Sequence, residues 1–254
     1  MATLERFNYY SKIILQYIST RFGIVKFTGF ASLLTMLGAD KLNEMKFFLG
    51  NFLFILVSLF VFRLLDDVWS YNLDKINHPN RIYIPNKNIG SFILITIIVA
   101  ILYQIILFFI STYLGFTILF LFLISNFLYS IFYRNKNLMT IIPLIKYPVL
   151  LWCILRFDIS TDAILLSSSA FFMMLVFDIN EDKPVNKNRL LITTILLFVT
   201  GFLMIQPWNE NENLLVKAIL LLVPFIIFIL PASRFQRIFP VLIFPALHVI
   251  DLII

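Results

Sequence analysis

The sequence predicts an all-α integral membrane protein with about nine transmembrane helices. Three observations carry that expectation. Of 254 residues, 61% are hydrophobic and only 13% charged, with a mean hydropathy of +0.95, whereas soluble domains carry about a quarter charged residues. Apolar runs long enough to cross a bilayer recur from one end of the chain to the other. A β-barrel would show alternating segments of about ten residues instead.

Residues 1–21 mix Glu5, Arg6, Lys12 and Arg21 with apolar positions. They lack the short apolar core and small-residue cleavage site of a signal peptide. YYSKIILQYIST suits an amphipathic helix lying on the membrane surface. Candidate spans then cover 22–38, 46–66, 90–111, 114–133, 139–157, 160–178, 190–206, 214–231 and 236–254. The first is short and interrupted by Lys26. The fifth carries Lys146 and Pro148, which predicts a kink or a buried polar position. No linker or composition shift divides the chain, so residues 1–254 read as one membrane domain. The lone Cys153 excludes an intramolecular disulfide and a cysteine-based metal site, and its apolar run gives it a packing role.

The net charge of +6 reads as membrane topology, with no nucleic-acid partner implied. With the N-terminus cytoplasmic, only Lys41, Lys46, Arg156 and Lys217 fall on the opposite side of the membrane. That bias predicts a cytoplasmic N-terminus and a non-cytoplasmic C-terminus. The long loops 67–89 and 179–189 then share the cytoplasmic side, and both begin with carboxylates.

In the first cluster, helical geometry puts Asp66, Asp67, Ser70 and Asp74 on one face about 100° wide, with Arg63 one turn deeper and Trp69 and Asn72 pointing elsewhere. In the second, FDINEDK places Asp178 and Asp182 four residues apart, with Glu181 beside them. Crowded carboxylates repel one another unless a cation lies between them. Hard oxygen donors suit Mg²⁺, which shares its coordination with water and substrate phosphates. Two such clusters at a membrane surface point to a Mg²⁺–diphosphate site with a lipid tail running inward. Asp66, Asp67, Asp74, Asp178 and Asp182 would be the metal ligands, and Lys75, Arg81 and Lys183 would neutralise diphosphate oxygens. Departure of the diphosphate would leave an allylic carbocation. The plain alternative is that these acids only cap helix ends and solvate loops. Two clusters in one compartment favour a functional site.

Asp66-Asp67-Val68-Trp69-Ser70-Tyr71-Asn72-Leu73-Asp74, followed by Lys75 and by His78-Pro79-Asn80-Arg81, resembles the first aspartate motif of the UbiA superfamily of intramembrane prenyltransferases. Arg63 resembles the arginine that precedes this motif in one subgroup. Asp178 and Asp182, followed by Lys183, are similar to the second motif, D-x-x-x-D. Tyr129-Ser130, with Arg134 and Lys136 after them, is similar to a further family feature. The chain departs from the pattern at Ser70, which stands where the motif carries its middle aspartate. It departs again at Ile82, where proline is usual, and in lacking the G-x-x-T that often follows the second motif.

The resemblance implies nine helices in a ring around a central cavity. It also implies Mg²⁺-dependent transfer of a prenyl group from a polyprenyl diphosphate to a small, often aromatic, acceptor within the membrane. Arg63, Ser70, Lys75, Arg81, Tyr129, Lys136 and Lys183 would bind substrate. A terpene cyclase on the same scaffold, ionising the diphosphate without an acceptor, is the nearest alternative. A transporter or non-catalytic membrane protein is the more distant one, and no internal repeat or mid-membrane acid supports it. The expected partners are the diphosphate, its acceptor and the bilayer, with no obligate protein partner evident.

His78 sits in the turn after the first motif, where it shapes the loop or meets substrate. His248 and Asp251 read as a structural pair in the last span. Lys146 faces the bundle or snorkels to the interface. Of the 29 phenylalanines, some would line a prenyl tunnel, where ring faces steady a cation.

Overall fold

A computed structural model describes residues 11, 14–22, 24–38, 45–77, 79, 81, 84, 89–132, 135–181, 191–193, 195–196, 199–200 and 203. The spans expected at 214–231 and 236–254, and most of 190–206, lie outside the described residues. Among those described, all regular structure is helical. A helical stretch at 14–22, ending in the π-turn Ile18–Phe22, precedes α1 (Ile24–Leu37) and α2 (Met45–Trp69). Next come α3 (Tyr71–Asn77), α4 (Ile89–Ile110), α5 (Thr112–Phe132) and α6 (Lys136–Ile141). The last two are α7 (Lys146–Ile154) and α8 (Thr161–Glu181).

The chain is an all-α protein with helices suited to a membrane. Three of them, Phe48–Trp69 within α2, all of α4 and all of α5, are long and apolar enough to cross a bilayer. At about 1.5 Å per residue, 22 residues reach about 33 Å, against a hydrocarbon layer of about 30 Å. The outward face of α4 shows why such helices need lipid. Leu94, Ile97, Ile98, Ile101, Leu102, Ile105, Ile106, Phe109 and Ile110 are all exposed. Their spacing follows the helical repeat, so one whole side of the helix is hydrocarbon. The opposite side buries Phe92, Ile95, Thr96, Tyr103 and Leu107. In water that outer stripe would be an aggregation surface.

The chain divides into two compact units, Met1–Ala31 with Leu53–Pro143 and Ser32–Phe52 with Leu144–Ile254. In the first, α4 and α5 are separated by Ser111 alone and fold back on each other. Gln104 Nε2 donates to the Gly115 carbonyl at 2.6 Å. A Cβ on Gly115 would collide with the Phe108 ring, so glycine is required for this approach. The hydroxyls of Ser58 on α2 and Tyr103 on α4 bond to each other, and α2 buries Ile55, Leu59 and Leu64.

In the second unit, α7 packs on α8. Ala163, Leu166, Ala170, Met173 and Met174 recur every three or four residues and form the buried stripe of α8. The break expected near Pro148 falls just before it. A 3₁₀ turn, Ile142–Leu144, interrupts the helical path, and Pro148 then lies in the first turn of α7, where its missing N–H costs nothing. Lys146 is buried, as one of the two expectations had it, with Nζ 5.7 Å from the centroid of the Tyr147 ring. Arg156 and Phe157 adopt left-handed backbone angles to turn the chain between α7 and α8. Asp158 then accepts from Ser160 N–H at 2.9 Å and from Ser160 Oγ at 2.7 Å, while Ser160 Oγ caps the Ala163 N–H. The Ser160 hydroxyl, followed by backbone N–H groups, holds this exposed carboxyl below its ordinary range.

Candidate functional site

The first acidic cluster occupies the end of α2 and the start of α3. Ser70 separates the two helices, yet the backbone bonding runs through it. Ser70 N–H donates to the Asp66 carbonyl at 2.9 Å, and Asp74 N–H donates to the Ser70 carbonyl at 2.8 Å. The helical register from Arg63 to Asp74 is therefore kept, as the spacing requires.

The carboxylates are buried: Asp66, Asp67 and Asp74 are 8%, 1% and 6% exposed. Charges cannot sit in such places unless paired and hydrogen-bonded. Each has its own partners. Asp66 Oδ1 accepts from Tyr129 Oη of α5 at 2.8 Å. Asp67 Oδ2 accepts from Tyr17 Oη at 2.6 Å, and its Oδ1 lies 3.5 Å from Arg63 Nη2. Asp74 Oδ2 accepts from Ser70 Oγ at 2.8 Å, and its Oδ1 pairs with Arg81 Nη1. Tyr129 is itself clamped, its ring parallel to that of Trp69 with centroids 5.8 Å apart.

The structure thus brings together Arg63, Asp66, Asp67, Ser70, Asp74, Arg81 and Tyr129 within the first unit. Lys75 lies exposed on α3, and Lys136 begins α6. Asp178 lies exposed on the last turns of α8, in the second unit. Glu181 ends that helix. His78, Asp182, Lys183, His248 and Asp251 lie outside the described residues.

Two contributors escaped the sequence reading. Trp69 falls off the acidic face on a helical wheel, yet it orders the phenol that holds Asp66. Tyr17 belongs to the stretch read as a surface helix, yet it is fully buried and bonded to Asp67. Neither carries a local signal, because both act through contacts distant in sequence.

Three carboxylates against the two guanidiniums of Arg63 and Arg81 leave an excess of one negative charge among these side chains. Hard oxygen donors with an anionic excess fit Mg²⁺ held by one or two carboxylates, with water and substrate oxygens completing its shell. Among the described residues no group of three or more His, Cys, Asp or Glu side chains is placed to hold a metal ion. An ion at this face would need water or substrate oxygens to complete its shell. No family model, curated protein or solved structure matches the chain.

Proposed function

We propose that the protein is a membrane-embedded prenyltransferase that takes a polyprenyl diphosphate and passes its prenyl group to a small, often aromatic, acceptor. The observation that supports this reading most is the burial of Asp66, Asp67 and Asp74, each oriented by its own hydroxyl or guanidinium donor. Acids that merely solvated a loop would be exposed and loosely held. An ordered anionic cluster at the end of a lipid-suited helix is where a hard cation and a charged head group would meet while an apolar tail enters the bilayer.

In this reading Asp66 would hold the cation side of the site, Asp74 would orient Arg81, and Arg63, Arg81 and Lys75 would meet the diphosphate oxygens. Tyr129 keeps Asp66 aimed, and Trp69 keeps Tyr129 in place. Mg²⁺, when bound, would neutralise the diphosphate so that the bond from its oxygen to the allylic carbon breaks with the electron pair leaving on oxygen. The acceptor then adds at that carbon and loses a proton. Asp178 and Asp182 remain the second carboxylate pair, and Lys136 and Lys183 further anion contacts, on sequence grounds. The nine-helix ring and the cytoplasmic site rest likewise on the UbiA resemblance and the charge bias.

The test is incubation of the purified protein with prenyl diphosphates of several lengths and Mg²⁺, with and without aromatic acceptors, followed by mass spectrometry. Release of diphosphate that needs acceptor supports transfer. A cyclic hydrocarbon formed without acceptor reassigns the protein as a terpene cyclase. No turnover with any donor, or full turnover in Asp66→Asn, sinks the reading.

A further inference from the structure

Tyr17, Asp67 and Arg63 form a chain of contacts that starts in the core and ends in the open. The Tyr17 ring is fully buried, 5.5 Å from Phe92 and 6.4 Å from Phe60 between centroids. Its hydroxyl donates to Asp67 Oδ2 at 2.6 Å and lies 3.3 Å from the Arg63 carbonyl oxygen. The Asp67 side chain is 1% exposed, whereas that of Arg63 is 26% exposed. Of the three, the guanidinium alone is substantially reachable from outside.

We infer that Tyr17 is a positioning residue. Acting through Asp67, it sets the Arg63 guanidinium to receive a phosphate oxyanion, and Asp67 serves as an orienting carboxylate and not as a metal ligand. This rests on the diphosphate reading above and assigns Asp67 a different task within it. The physical reason lies in where the carboxylate's oxygens point. One takes a short phenol bond and the other faces a guanidinium, so both are directed at protein donors. The planar fork of a guanidinium matches the oxygens of a phosphate, and the Arg63 side chain is 26% exposed. Fixing one edge of the fork against a buried acid reduces the freedom lost when an oxyanion arrives. The N-terminal stretch is then part of the site's scaffold, because it carries the phenol.

Binding of inorganic pyrophosphate to the purified full chain, measured calorimetrically with Mg²⁺ and again with a chelator, tests this. Tyr17→Phe removes one hydroxyl and is expected to weaken pyrophosphate binding about tenfold under both conditions. In an Arg63→Ala background the same change is expected to add nothing, because the group it positions is gone. Equal affinity for Tyr17→Phe and the parent overturns the inference. So does a loss confined to Mg²⁺, which would make Asp67 a metal ligand, or a loss that multiplies with Arg63→Ala. If Tyr17→Phe yields no monodisperse protein, Arg63→Lys decides the matter. It keeps the charge beside Asp67 without the fork, and unchanged affinity there overturns the inference. A parent protein that binds no pyrophosphate under either condition overturns the diphosphate reading itself, a result distinct from all of these.

Discussion

Removing Arg81 should destabilise the protein more than removing its partner Asp74. The pair is asymmetric, with side chains 21% and 9% exposed respectively. Arg81→Ala takes a full positive charge from the buried Asp74 carboxylate, which keeps the neutral donor Ser70 Oγ at 2.8 Å. Breaking a buried ion pair in this way costs about 3–5 kcal/mol, because the buried charge has lost its water as well as this cation. Asp74→Ala acts on the arginine instead, whose long, partly exposed side chain can swing its head to water. Its cost is then mainly the lost charged hydrogen bonds, about 1–3 kcal/mol. A chain of this size loses roughly 2–4 °C per kcal/mol. Arg81→Ala should therefore melt on the order of 10 °C below the parent in detergent, Asp74→Ala about half as far below, and the double variant no lower than Arg81→Ala alone. Thermal unfolding followed by tryptophan fluorescence reads all three. An Arg81→Ala protein within about 2 °C of the parent, or a double variant showing the sum of both losses, refutes the argument.

Two further outcomes are expected. Ser70→Asp exchanges a donor to Asp74 for a like charge one turn away, costing about 2 kcal/mol, or roughly 4–8 °C, without divalent cation. Added Mg²⁺ should raise its melting temperature more than the parent's, and an equal shift in both speaks against a cation site at this face. Gly115→Val should force α4 and α5 apart and strip Gln104 of its carbonyl acceptor, at about 1–3 kcal/mol. An unchanged melting curve would show that the hairpin is looser than the Phe108 contact implies.

The sequence made the long apolar helices and the acidic face legible, since both depend on local periodicity. α2, α4 and α5 occupy the second, third and fourth expected spans to within a few residues at each end. The Arg63–Asp67 contact is an i, i+4 pair, which the spacing implies. Which element each carboxylate meets was not legible. Tyr17 lies 50 residues from Asp67, and Tyr129 lies 63 from Asp66. A tyrosine in an amphipathic stretch looks the same whether it rests among lipid head groups or on a buried acid. The helical wheel gives the direction of Trp69 but not that Tyr129 lies in that direction. Tyr129 entered the sequence reading by resemblance, and its bond to Asp66 supplies a physical role that spacing alone did not contain.

Ser70 shows how the cluster manages its charge. An aspartate at this position would lie one turn from both Asp66 and Asp74, and like charges at that spacing repel. The hydroxyl instead donates to Asp74, while Arg81 supplies positive charge from the other side. Each remaining acid is likewise turned towards a different element: Asp67 towards the N-terminal stretch, Asp66 towards α5. Burial forces this dispersal, since a carboxylate taken out of water needs donors and no one neighbour offers enough for three. The acids therefore tie α2 to its surroundings as well as forming an anionic face. Loss of activity on mutating any of them cannot by itself separate chemistry from architecture. Pyrophosphate affinity measured with and without Mg²⁺ can: an acid that holds the cation changes affinity only with Mg²⁺, one that positions a guanidinium changes it under both conditions, and a purely structural one under neither.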